Sequence, residues 1–186
     1  MVPIVALWLP ILLSAVIVFV ISSILHMVFP YHRSDFAQVP NEDDVMDSLG
    51  KFTIPPGEYV IPFAGSSKER SSPEFLEKMK KGPLAFMTVM TPGPPAMGKS
   101  LGQWFLYSVV VGIFAAYVVG RLVGPGADSV TIFRFTGAIA FAGYTLALWQ
   151  NSIWYKRKWS TTLKSTFDGL LYSFGTGAAF AWLWPS

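Results

Sequence analysis

PIVALWLPILLSAVIVFVISSIL, residues 3–25, carries no ionisable side chain, and its reading decides the fold. A bilayer's hydrocarbon core, ~30 Å thick, is crossed by about 20 consecutive apolar residues in a helix, so this stretch predicts a transmembrane span. It lacks the positive leading region and small-residue cleavage site of a removable signal peptide. Pro3 suits a first helical turn, while Pro10 predicts either a kink or the true helix start.

The rest of the chain agrees with a membrane setting. Of 186 residues, 52% are hydrophobic and only 13% charged, and mean hydropathy is +0.46; a soluble domain carries about 25% charge. An aromatic content of 16% excludes a chain that stays solvated and disordered. Net charge is +3, from 14 Lys+Arg against 11 Asp+Glu. No basic stripe stands out from that balance, so no nucleic-acid partner is expected. The absence of cysteine removes disulfides, thiolate metal sites and a thiol nucleophile.

Three further apolar segments, residues 101–119, 135–154 and 169–184, predict an all-α membrane protein. Its expected form is a bundle of four transmembrane helices with a small α/β cytoplasmic insert between helices 1 and 2. The expected divisions are helix 1 at 1–29, the insert at 30–99 and helices 2–4 at 100–186. Trp104, Tyr107, Trp149, Trp154, Tyr155, Trp159, Trp182 and Trp184 fall where membrane interfaces are expected. Lys156, Arg157, Lys158 and Lys164 lie between the third and fourth spans, and most other cations lie in the insert. Only Arg121 and Arg134 fall on the opposite side. The positive-inside rule then places the insert in the cytoplasm and both termini outside, in an inner (cytoplasmic) membrane.

Within the insert, Asn41 precedes Glu42, Asp43 and Asp44 and predicts a capped helix ending at Gly50. Ser72-Pro73 opens a second helix, stopped by Lys78, Lys80, Lys81 and Gly82. Residues 58–63 and 84–90 read as strands.

GPPAMGKS, residues 93–100, matches the phosphate-loop pattern G-x-x-x-x-G-K-[ST]. Such a loop presents backbone N–H groups to phosphate, and Pro94 and Pro95 have none. A proline-rich approach to the second span is the expected reading. His26, His32 and Asp35 cluster after the first span. A six-residue separation with Pro30 between does not put both rings on one helical face, so no metal site is expected. Glu42, Asp43, Asp44 and Asp47 lack calcium-loop spacing.

The strongest patterns are two ladders of small residues. Ser108, Gly112, Ala116 and Gly120 repeat every fourth position in the second span, and Gly169, Ser173, Gly177 and Ala181 do so in the fourth. That spacing keeps them on one helical face, where backbones can approach closely. They are the candidate surfaces for packing within the chain or against a partner. No nucleophile–base pair, carboxylate dyad or metal box is evident, so no catalytic residue and no cofactor are expected.

The sequence therefore predicts a non-catalytic integral membrane protein, an accessory or assembly subunit of a larger inner-membrane complex. Its partners would be the bilayer and other membrane subunits. The alternative is a small membrane binding or transport protein for a lipid, a quinone or another uncharged ligand.

Overall fold

Pro10 marks a helix start rather than a kink. In the computed structural model, which describes all 186 residues, a 3-10 turn at Ile4–Leu7 leads into helix α1, Trp8–Met27. Pro10 sits in the first turn of α1, where its missing N–H costs nothing. After a second 3-10 turn at Pro30–Ser34 come α2 (Glu42–Gly50), β1 (Gly57–Ile61), α3 (Ser67–Arg70), α4 (Pro73–Lys81) and β2 (Ala85–Val89). The chain then forms α5 (Met97–Leu122), α6 (Ser129–Thr145), a 3-10 turn at Leu146–Leu148, α7 (Trp149–Ile153) and α8 (Trp159–Trp182).

Two compact units result, one made of residues 1–36 with 96–186 and the other of residues 37–95. The insert is thus shorter than the expected 30–99. Residues 30–36 fold with the long helices, and 97–99 already belong to α5.

In the first unit α1, α5, α6 and α8 pack in a ring, each on its two neighbours in that order. Three helices are long and apolar enough to cross a membrane: Ile4–Met27, Met97–Leu122 and Ser129–Ile153. Their exposed faces are apolar, the reverse of a soluble helix. On α1, Trp8, Leu12, Val16, Val20 and Ile24 repeat every fourth residue and all are exposed. The core runs along the bundle axis. Leu7, Ile11, Ala115, Ala116, Ile132 and Phe180 fill one end; Val18, Leu25, Val111, Ala140, Tyr144 and Tyr172 fill the other.

The helix ends alternate as a serpentine chain requires. Val2 N–H donates to Gly120 O at 2.7 Å, and Gly126 N–H to Pro185 O at 2.9 Å. Both termini and the α5–α6 turn therefore share one end, while the end of α1 meets the first turns of α8 at the other.

Two boundaries move from expectation, each for a local reason. The third apolar helix begins at Ser129, not 135, because the Asp128 side chain caps it by accepting from Thr131 N–H at 2.9 Å. The fourth begins at Trp159, ten residues before its apolar part. Its first turns are polar but contain no helix breaker, so hydropathy alone underestimates its length.

Both small-residue ladders are used inside the chain. Gly112 faces Ile11 and Ser14 of α1, and Gly120 faces the Val2 carbonyl. Ser108 and Ala116 are buried on the same face. On α8, Gly169 faces Tyr144 and Thr145, and Gly177 faces Phe133, all on α6. Ser173 is buried, its carbonyl close to Gly137, and Ala181 packs in the first core cluster. The α5 ladder thus serves α1 and the residues leading into it, and the α8 ladder serves α6.

In the second unit β1 and β2 pair antiparallel, from Gly57 opposite Val89 to Ile61 opposite Ala85. Ser72 caps α4 as expected, its Oγ accepting from Phe75 N–H at 3.2 Å. Asn41 does not cap α2: it takes a left-handed conformation, φ 50°, and its side chain makes no cap hydrogen bond. Asp and Asn tolerate that region best. The two-stranded antiparallel sheet offers no parallel strand to support a phosphate loop at residues 93–100.

Candidate functional site: an ionic cluster at the end of the first helix

Pro30 explains why His26 and His32 meet. It starts a tight 3-10 turn directly after α1, which folds the chain back over the last helical turn. The two rings are not on one helical face, yet they stack with centroids 4.4 Å apart and planes 8° from parallel. The expectation that the rings do not share a helical face stands, but the rings meet all the same. Helical periodicity does not extend across a proline-initiated turn.

His26 sits in the last turn of α1, and its Nδ1 is 2.9 Å from Ser22 O. A carbonyl only accepts, so Nδ1 carries the hydrogen and Nε2 keeps its lone pair. His32 is held from both sides. Its Nδ1 lies 2.7 Å from Asp35 Oδ2, and its Nε2 lies 2.8 Å from Asp168 Oδ2. Two carboxylate oxygens call for two donors where a neutral imidazole has one.

Two more side chains from the same elements close the cluster. Tyr31 O–H donates to the second oxygen of Asp168. Lys164, one turn before Asp168 on α8, donates to Tyr31 O at 2.5 Å, Ser34 Oγ at 2.8 Å and Asp35 Oδ1 at 2.9 Å. Lys164 sets a cation beside Asp35, and His32 lies between the two carboxylates. Asp35 and Asp168 side chains are only 7% and 4% exposed, which is tolerable because each is paired and hydrogen-bonded.

The titration shifts follow from this packing. Burial would raise the Asp35 carboxyl, but hydrogen bonds from His32 and Lys164 outweigh it and hold Asp35 below the usual carboxylate value. Burial first, then the bond to the Asp168 carboxylate, push the Tyr31 phenol well above its usual range.

An aromatic group adjoins the cluster on the bundle side. Tyr172, one turn beyond Asp168, packs edge-on against Tyr144 at 5.5 Å and Trp104 at 5.6 Å. Trp104 Nε1–H donates to Ser22 Oγ at 2.9 Å, so α5 is tied to the same turn of α1 that orients His26. On the outer side, Leu25, Phe29, Leu163, Phe167 and Leu171 line an open groove of about 570 Å³, with Tyr31 and Lys164 also contributing to its lining.

Of the residues singled out in the sequence, His26, His32 and Asp35 are brought together here, whereas Lys99 and Ser100 lie exposed in the first turn of α5. Sequence reading missed Tyr31, Lys164 and Asp168 as members of the cluster. The available signal was Lys164 and Asp168 four residues apart, one helical turn, leading into the last apolar segment. No protein-family model, no curated protein and no solved structure matches this chain.

Proposed function

We propose that the chain is a non-catalytic subunit of a larger inner-membrane complex, spanning the bilayer four times and presenting residues 37–95 to a partner. One observation carries this reading: in that unit Phe75 is the sole buried side chain, while Val45, Met46, Leu49, Phe52, Phe63 and Met90 are exposed. A unit so small cannot bury enough apolar surface by itself, and exposed apolar side chains in such number fit contact with another protein. The ionic cluster supports the same role. It fixes Tyr31 to Asp35, the residues just before the insert, onto α8.

Exposed Leu163, Phe167, Phe174 and Trp182 suit α8 as the fourth span, although its first turns are polar. With 12 of the 14 Lys and Arg on the side of the insert and the α7–α8 turn, that side is cytoplasmic. Protease added outside intact cells is expected to spare Lys78–Lys81 and Lys156–Lys158. Cleavage at either place would reverse the orientation.

The groove beside the cluster favours a second reading, a binding protein for a lipid-like uncharged ligand. Its lining is apolar, and the Lys164 ammonium already makes three hydrogen bonds, leaving no free cation for an acidic head group. Native mass measurement after mild solubilisation separates the two. The complex should exceed the 20.5 kDa chain, and Met46→Asp with Phe52→Asp should release the partner while the bundle stays folded. A lone chain retaining a lipid-sized adduct, lost in Leu171→Trp, would instead establish the second reading.

A further inference from the structure

We infer that His26, His32 and Asp168 form a binding site for one divalent transition-metal ion. One ligand atom from each of the three lies within 4.8 Å of the others. Two imidazoles and one carboxylate are a donor set for Zn(II), Fe(II) and related ions, with positions left for water. This inference does not depend on the partner reading above.

The hydrogen bonds around the three residues are what distinguish the site from a chance grouping. Histidine ligands donate their second N–H to a carbonyl or carboxylate, and ligating carboxylates are themselves hydrogen-bonded. Both conditions hold at the three residues. His26 Nδ1 is bonded to Ser22 O, leaving Nε2 free. His32 Nδ1 is bonded to Asp35, with Nε2 directed at Asp168. Asp168 uses one oxygen for the Tyr31 hydroxyl and turns the other to His32. Each ligand is thus oriented through the atom that would not touch the ion.

The rearrangement required is small: His26 turns, and the His32–Asp168 pair, now 2.8 Å apart, opens slightly to admit the ion. Two ligands each about 2.1 Å from an ion are at most about 4.2 Å apart, so a pair near the 4.8 Å limit must close by several tenths of an ångström. A ring nitrogen's lone pair lies in the ring plane, so planes 8° from parallel must also open before both point at one ion. His26 is the ring able to turn, being exposed and outside the ion pairs. The hydrogen now between His32 Nε2 and Asp168 leaves as the ion takes its place.

The test uses the full chain purified in detergent, stripped with a chelator and titrated with Co(II) for its visible spectrum, then with Zn(II) in competition. Saturation at one ion per chain is expected. His26→Ala and Asp168→Asn should each weaken binding by more than about 100-fold, beyond the roughly 10–100-fold that the loss of an outer hydrogen bond alone produces. His26 makes none of the ion pairs that hold α8, so His26→Ala should elute as the parent does and lose only its stacking on His32. If Asp168→Asn fails to fold, His26→Ala decides alone. The absence of saturable binding, or binding that survives either substitution in a folded variant, overturns the site.

Discussion

Gly169→Ala is expected to lower the unfolding free energy by at least about 3 kcal/mol, the upper end of ordinary overpacking costs. A methyl group there would sit 2.1 Å from Thr145 Cγ2 and 3.2 Å from Tyr144 Cβ. Neither atom can give way easily. Thr145 is fully buried and its rotamer is held by Oγ1 donating to Phe141 O at 2.7 Å. Its backbone is also the point where α6 tightens into a 3-10 turn, which places that methyl against α8. The cost must therefore be met by separating α6 from α8, the pair in most extensive contact in the bundle. Gly102→Ala is the control, because nothing lies within 4 Å of the added atom; alanine's helix propensity should leave it neutral or slightly more stable. Gly120→Ala falls between the two. Its clash is less severe, 2.6 Å from Val2 O, but that backbone is held by the Val2 side chain in the first core cluster and by Val2 N–H bonding Gly120 O. Denaturant unfolding in one detergent, compared across the three variants, checks the order. An unchanged midpoint for Gly169→Ala would mean that α6 and α8 do not approach this closely.

That glycine was visible in the sequence, but its partner was not. Spacing of four says that a helix face is flat enough for another backbone to come near; it carries no information on which backbone arrives. Hence both ladders were legible, while the division of labour between them, α1 for one and α6 for the other, was decided by packing. The apolar spans were legible for the same reason: a bilayer imposes a length and a composition that a window of sequence can register. The polar half of α8 was not, since residues 159–168 are neither apolar nor helix-breaking, and it is tertiary docking that explains their helix. Thr162 and Thr166 bond Ser152 and Trp149 of α7, and Lys164 and Asp168 bond the turn after α1. The cluster shows the limit most sharply. His26 and His32 read as separate on helical periodicity, and Pro30 undid that argument by starting a new turn. Asp168 completes the group from 136 residues away, a separation at which no local pattern operates.

Asp168 should also separate holding the fold from holding an ion. Asp168→Ala removes the acceptor of the Tyr31 hydroxyl and leaves His32 Nε2 facing an apolar methyl. Breaking a buried, paired charge typically costs about 3–5 kcal/mol, and Asp168 is buried enough for that range to apply. Lys164→Met should cost less, about 1–3 kcal/mol. Its side chain is 23% exposed, so water can replace part of what Asp35 loses. Asp168→Asn should restore most of the stability lost in the alanine variant. The amide oxygen can accept from Tyr31, and the amide N–H can donate to Nε2 of a neutral His32 whose Nδ1–H still serves Asp35. Every polar atom then keeps a partner, and only the charges of one ion pair disappear. A neutral amide is, however, a poor substitute for a carboxylate as a metal ligand. The alanine variant should thus lose both folded protein and metal affinity, whereas the asparagine variant should keep the first and lose the second. Unfolding midpoints equal for alanine and asparagine would show that the charge of Asp168, and not its hydrogen bonds, fastens α8 to the turn after α1.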